Sequence, residues 1–141
     1  MTAAAFLPAE WPAPAGIRAV TSLRGGPGAS LPPFDSFNLG IRCGDEPALV
    51  RGNRERLAGE LHLPQAPHWL QQVHGIHVAR FDHGDREFSP GLDAGDAIEP
   101  IADAAITGDA GVVLAVLSAD CLPVLFCTHH GRDIAAAHAG W

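Results

Sequence analysis

Three residues of this chain, His74, Cys121 and His138, have side chains that could hold a metal ion. One thiolate and two imidazoles suit Zn²⁺, and three protein ligands leave a fourth position open for water or substrate. This ligand count is typical of a catalytic zinc site, whereas structural zinc sites use four protein ligands. The alternative interpretation is a buried cysteine that packs as a small apolar residue, together with two ordinary histidines.

The spacing of these residues does not decide between the two interpretations. They lie 47 and 17 positions apart, unlike the compact Cys-x-x-Cys or His-Glu-x-x-His patterns. The chain contains eight histidines and three cysteines, so many other combinations exist. The argument for a site therefore depends on the sequence around each residue.

Apolar sequence surrounds Cys121 on both sides. The continuous runs 111–117 and 122–126 predict two buried strands, with Cys121 at the corner between them. Pro123 lacks an N–H group and therefore predicts a break or bulge just after the cysteine. A carboxylate at a buried corner needs a polar partner. Asp120 is thus predicted either to accept hydrogen bonds from the backbone or to act as a general base or carboxylate beside a metal.

The other two candidate ligands are also predicted to follow strands. Residues 133–138 have small apolar side chains and predict a strand that ends at His138. Residues 69–73 lead to a strand end or tight turn at His74. Such positions commonly carry the reacting side chains of enzymes on a rigid scaffold. The shared position of all three residues favours a common site.

The blocks around these residues resemble the YfiH family, also called the laccase-domain or multicopper polyphenol oxidoreductase family. The resemblance rests first on Gln-Gln-Val-His-Gly (71–75), Ala-Asp-Cys-Leu-Pro-Val-Leu-Phe (119–126) and Ala-Ala-Ala-His-Ala-Gly-Trp (135–141). Further matching blocks extend it over nearly the whole chain, at 30–40, 43–47, 53–57 and from 107 onward.

The resemblance implies a zinc site made by His74, Cys121 and His138, because the matching residues of that family bind zinc. Copper is the alternative metal, after the older family name, but the clustered histidines of a multicopper site are missing. The family is now mostly described as purine nucleoside phosphorylases with adenosine deaminase activity, and one branch as peptidoglycan editing factors.

The resemblance also implies that the region 24–38 lines a nucleoside and phosphate site. Arg24 is the candidate for neutralising phosphate, since a guanidinium binds phosphate with two parallel hydrogen bonds, and Asn38 is a candidate substrate contact. Asp120 and Cys121 are the further catalytic candidates: an acid near Asp120, or the metal, would assist the leaving base or activate water. The glycine-rich stretch after Arg24 is one residue longer than the family pattern.

The predicted function is zinc-dependent phosphorolysis of adenosine or inosine, with adenosine deaminase and methylthioadenosine phosphorylase activities as related possibilities. A different class of enzyme stays open, in which Cys121 is the nucleophile of a hydrolase or amidase that edits peptidoglycan precursors and a histidine is its base. An inactive fragment is the third interpretation, and laccase-type polyphenol oxidation is the least favoured.

Buried strands, one helix and long loops predict a mixed α+β fold, and the resemblance implies an α-β-β-α sandwich. The helix is predicted to begin after Asp45 as N-cap, with Pro47 in its first turn, and to end before Pro64. Family members continue beyond the motif that ends at Trp141, so the chain is expected to be a single, partial domain over 1–141 that lacks its C-terminal part.

Composition limits the partners and the compartment. The formal net charge of −7 argues against nucleic-acid binding, and no apolar stretch reaches the length of a membrane span. The first ten residues lack the basic and apolar regions of a signal peptide, and an odd count of three cysteines predicts no disulfide framework, which is typical of a cytoplasmic protein. Purine nucleoside and phosphate are the expected partners, and the sequence leaves open a monomer or a homo-oligomer. The acidic stretch 83–100 predicts a surface loop.

Overall fold

The structure is a computed structural model that describes residues 5–83 and 99–140. The chain folds as two compact units: unit 1 is Met1–Pro12 with Arg18–Leu63, and unit 2 is Ala13–Ile17 with Pro64–Trp141. Two sheets and one helix make up the described regular structure, which confirms the predicted mixed α+β class. The single domain over 1–141 stays a prediction, and most of the predicted acidic loop lies outside the described residues.

Unit 1 contains one small sheet and the helix. Strands β1 (Phe6–Pro8) and β2 (Val20–Ser22) pair antiparallel, and helix α1 spans Pro47–Glu60. Proline suits the first turn of a helix, because the N–H group that it lacks would have no partner there. The predicted N-cap was wrong by one residue: Glu46 occupies that position without a side-chain cap. The carboxylate of Asp45 instead binds side chains of the preceding loop.

Buried polar side chains organise that loop. Asn53, on the inner face of α1, is 2% exposed; it accepts a hydrogen bond from Ala29 N at 2.9 Å and donates to Ser30 Oγ and to Asn38 O, each at 2.9 Å. Ser30 Oγ in turn donates to Asp45 Oδ2 at 2.6 Å. Buried polar groups are costly unless they are paired, so this network fixes the path of the loop against the helix.

The Asp45 carboxylate makes the stability of the protein depend on pH in the acidic range. Hydrogen bonds from Ser30 and Asn38, with one from the Glu46 N–H, hold the pKa of Asp45 below its ordinary value against the opposing effect of burial. Its stabilising contribution is therefore complete above the unfolded-state pKa of about 3.9 and is lost as pH falls through the lower folded-state pKa. We expect Asp45→Asn to flatten the loss of stability below about pH 4, measured by urea unfolding.

The matched control for that measurement is Glu55→Gln on the exposed face of α1. This variant is expected to keep the acid dependence of the wild type, because Glu55 lies outside the network. Equal slopes of stability against pH in the wild type and in Asp45→Asn would contradict the assignment.

Unit 2 contains a four-stranded sheet in the order β3-β4-β6-β5. Its strands are β3 (Val78–Arg80), β4 (Ala104–Thr107), β5 (Leu122–Cys127) and β6 (Ile134–Ala139). Strands β3 and β4 are parallel, while β6 pairs antiparallel with both β4 and β5. The buried core of this unit contains Leu70, Phe81, Ala102, Ala105 and Val112. Small residues dominate β6, which lets its neighbours approach closely.

Two predicted features beside Cys121 were wrong. Residues 111–117 form no regular strand: one bridge, His68 with Leu114, is their described pairing, and Val112 is buried while 113–117 are partly exposed. A run of apolar residues indicates that a segment tends to be buried. It becomes a strand only when a neighbouring segment is available to pair with it. Pro123 causes no break or bulge after Cys121 but lies inside β5. Strand β5 is at the edge of the sheet, where a missing N–H group is tolerated.

The second apolar run also differs from its prediction. Residues 122–126 are a strand as predicted, but Leu122 is 65% exposed and Phe126 is 52% exposed, so the strand is not fully buried. Over the residues that the structure describes, no helix has both the length and the apolar composition of a membrane span.

Candidate metal centre

Unit 2 brings the three predicted metal ligands together. One ligand atom each from His74, Cys121 and His138 lies within 4.8 Å of the others. His74 occupies a turn after the bridge residue Gln71, Cys121 directly precedes β5, and His138 is the penultimate residue of β6. His74 is exposed and the other two are partly buried, so the cluster lies where solvent reaches it. We call these three residues the ligand cluster.

The distance between Cys121 and His74 suits a tetrahedral ion bound by both residues. Cys121 Sγ lies 3.6 Å from His74 Nε2, and the rings of His74 and His138 are 4.8 Å apart at 68°. Zinc bonds of about 2.3 Å to sulfur and 2.0–2.1 Å to nitrogen, at tetrahedral angles, separate those two atom types by about 3.6 Å. The donor set therefore suits zinc in its chemistry, and the distance between Cys121 and His74 agrees with a shared ion.

A buried carboxylate orients one of the histidines. His138 Nδ1 lies 2.9 Å from Asp103 Oδ1, and the two side chains are 6% and 4% exposed. An ionised carboxylate can only accept, so Nδ1 carries the proton and Nε2 is left to bind a metal. A carboxylate behind a ligating histidine fixes the ring orientation and raises its basicity.

The same carboxylate also holds the turn that carries His74. Asp103 accepts hydrogen bonds from the backbone N–H groups of Val73 at 3.1 Å, His74 at 2.9 Å and Gly75 at 2.7 Å. Burial tends to raise the pKa of Asp103, but the bond from His138 and those from the three N–H groups prevail and lower the pKa to about 2. One ionised side chain thus ties together two of the three candidate ligands.

Sequence reasoning missed Asp103. Its signal was a single carboxylate inside the otherwise apolar run 101–106, directly ahead of a strand. A charge in such a position has to be paired when it is buried. The sequence alone does not reveal which residues pair with it, since they are 28 to 35 positions away.

Asp120 differs from its prediction because it is exposed, at a bend just before Cys121. The premise of a buried corner was therefore wrong, and its catalytic role stays a prediction. Burial and the negative charge of Asp120 raise the pKa of the Cys121 thiol. A thiol with a raised pKa is a poor nucleophile without a metal or another cation to stabilise the thiolate.

Arg24 and Asn38 belong to unit 1, and their described contacts brace their own loop. Arg24 donates from Nε to Asp35 O at 3.1 Å and from Nη2 to Pro33 O at 2.6 Å, with an exposed ion pair to Asp35 at 3.5 Å. Asn38 Nδ2 donates to Asp45 Oδ2 at 2.9 Å. The roles in phosphate and substrate binding remain predictions for both residues.

The backbone of His74 gives a test of how the turn is held. Its φ of 58° lies in the left-handed region, where a side chain costs about 1–2 kcal/mol and glycine costs little. Both His74→Gly and His74→Ala should lose bound metal, but the glycine variant should be more stable by about 1 kcal/mol in chemical unfolding. An alanine variant as stable as the glycine variant would show that the turn relaxes.

Comparison with known proteins places the chain in a family. The model of the family described as multi-copper polyphenol oxidoreductase laccase matches residues 18–141. A purine nucleoside phosphorylase of Xylella fastidiosa is 48% identical over 139 residues, which cover 96% of this chain and 51% of that protein. The purine nucleoside phosphorylase YfiH of Escherichia coli is 47% identical over 132 residues, which cover 94% of this chain and 49% of that protein.

Two solved structures are similar to this chain in fold. Protein NMB0706 of Neisseria meningitidis superimposes with a TM-score of 0.79 at 40% identity, over 97% of this chain and 51% of that one. YlmD of Geobacillus stearothermophilus superimposes with a TM-score of 0.75 at 35% identity, over 90% of this chain and 46% of that one. The chain spans about half the length of the curated relatives that it matches. The predicted resemblance is confirmed, and the chain belongs to the multi-copper polyphenol oxidoreductase laccase family.

Proposed function

We propose that this chain supplies the zinc centre of a purine nucleoside phosphorylase that acts on adenosine and inosine. The observation that carries the proposal is the convergence of His74, Cys121 and His138, with Asp103 behind His138. Relatives at 47–48% identity bear the name purine nucleoside phosphorylase. Because the chain spans about half of those relatives, the activity of the whole protein is part of the proposal.

Zinc suits this donor set better than the alternatives. Three protein ligands leave a position open, and a bound zinc ion supplies a Lewis acid that polarises a substrate atom or acidifies water. Copper shares the Cys-His-His set when a weak, long axial ligand such as methionine, glutamine or a backbone oxygen completes it, whereas zinc needs no such ligand. We therefore propose zinc and include copper in the metal analysis.

The residues of the chain itself have separate proposed roles. Arg24 would neutralise phosphate from its exposed position, while Asn38 would contact the nucleoside. Asp120, exposed beside Cys121, would act as a general base that accepts a proton from water, while the metal or an acid near Asp120 would assist the departing purine. The raised pKa of the Cys121 thiol counts against a cysteine nucleophile that acts without a metal.

Metal content and turnover test the proposal on the same samples. Zinc and copper would be measured by mass spectrometry in the wild type, His74→Gly and Cys121→Ala, with His129→Ala and Cys127→Ala as matched controls outside the ligand cluster. Phosphate-dependent release of base from adenosine, inosine and methylthioadenosine, and deamination of adenosine, would be assayed in parallel. We expect about one zinc per wild-type and control chain, as a three-ligand site binds one ion, and none in the two ligand variants.

The outcomes separate the parts of the proposal. Phosphorolysis that disappears together with zinc would support the whole of it. Zinc without turnover would support the metal centre and contradict phosphorolysis by these 141 residues alone. A folded wild type without zinc would overturn the metal centre.

A further inference from the structure

The segments that lead to His74 and Cys121 run side by side within unit 2. Backbone pairing joins them at His68, whose N–H donates to Val113 O at 2.8 Å and whose carbonyl accepts from Ala115 N at 3.3 Å. This pairing stands six residues ahead of each ligand, from 68 to 74 and from 115 to 121. A connection closer to the ligands would restrain the distance between His74 and Cys121 more directly than this pairing does.

The side chain of Gln72 makes that closer connection. Leu117 N donates to Gln72 Oε1 at 2.6 Å, and Gln72 Nε2 donates to Leu117 O at 2.8 Å. One carboxamide thus pairs with both backbone groups of a single residue, as a neighbouring strand would. Gln72 is two residues before His74, and Leu117 is four residues before Cys121.

We infer that Gln72 is a positioning residue for the metal centre: its carboxamide sets the separation of His74 and Cys121 and thereby the affinity and geometry of zinc binding. Two hydrogen bonds to one residue restrain both the distance and the relative rotation of the two segments. Metal sites lose affinity when their ligands are held loosely, and mutation of outer partners typically costs about 10- to 100-fold. The inference rests on the proposed function, because it assumes that the ligand cluster binds zinc.

Gln72→Met is the direct test, since methionine keeps the length of the side chain and removes both hydrogen bonds. Gln71→Met is the matched control: the backbone of Gln71 pairs with residues 100–102, and both side-chain hydrogen bonds with Leu117 belong to Gln72. Zinc affinity would be measured by competition with a chromophoric chelator. The absorption spectrum of the Co²⁺-substituted protein would report thiolate coordination by Cys121 and tetrahedral geometry, which a purely structural role would leave unchanged.

We expect zinc affinity to fall about 10- to 100-fold in Gln72→Met, with a changed cobalt spectrum, and both to stay at the wild-type values in Gln71→Met. If Gln72→Met fails to fold, Gln72→Glu carries the same comparison, because it still accepts from Leu117 N but cannot donate to Leu117 O when ionised. A folded variant with wild-type affinity and spectrum would overturn the positioning role alone. A wild type that binds no zinc would overturn the metal centre and this inference together.

Discussion

Replacing Asp103 with alanine is expected to destabilise the protein by about 1–3 kcal/mol, in the range found when a buried donor loses its acceptor. The carboxylate accepts hydrogen bonds from His138 Nδ1 and from the backbone N–H groups of residues 73–75. Each of these four donors would lose its acceptor in the alanine variant. The His138 side chain is 6% exposed, so its ring N–H would be left buried without an acceptor, which is costly. The backbone N–H groups at the exposed residues 73–75 would instead bind water. Chemical unfolding of the metal-free protein would measure the loss.

The same substitution is expected to weaken zinc binding about 10- to 100-fold, because the His138 ring loses the acceptor that fixes its orientation. Asp103→Asn separates the two effects: the amide keeps the volume and one acceptor oxygen but removes the charge. We expect its stability to lie between those of the wild type and the alanine variant.

The control for both variants is Asp133→Asn, which removes a carboxylate from the turn before β6, away from the ligand cluster. This variant is expected to keep wild-type zinc affinity and to change stability by less than about 1 kcal/mol. An Asp103→Ala protein that binds zinc as tightly as the wild type would show that His138 is oriented by other contacts.

Removing the metal is expected to lower the stability of the wild type by about 3 kcal/mol when free zinc stands near 100 times its dissociation constant. The ligand cluster joins the turn at His74, the start of β5 and the end of β6, so an ion bound there holds three separate elements of the folded state together. In a thermal scan a chelator should lower Tm by about 10 °C for a chain of this length.

The Cys121→Ala protein supplies the comparison for that scan. Its Tm should already be low and should not respond to the chelator, whereas Cys127→Ala should respond as the wild type does. A wild type that releases one zinc to the chelator without any change in Tm would show that zinc binding is not coupled to folding of unit 2.

Local sequence was sufficient for several elements. Pro47 at the start of α1, the strand that contains His138 and the turn at His74 all follow from short-range patterns, and the structure has each of them. The run 111–117 shows where such patterns fail. Its apolar, β-branched residues predicted a strand, but whether a segment pairs depends on a neighbour that the segment does not encode.

The candidate metal ligands could be chosen from the sequence because their blocks resemble those of a family whose matching residues bind zinc, whereas spacing alone did not select them among eight histidines and three cysteines. The tertiary structure alone decided how those ligands are held. Asp103 meets the turn at His74 and the ring of His138 across 28 to 35 positions, and Gln72 meets Leu117 across 45. Hydrogen bonds over such separations form between atoms that only packing brings together, so no local pattern of residue types records them.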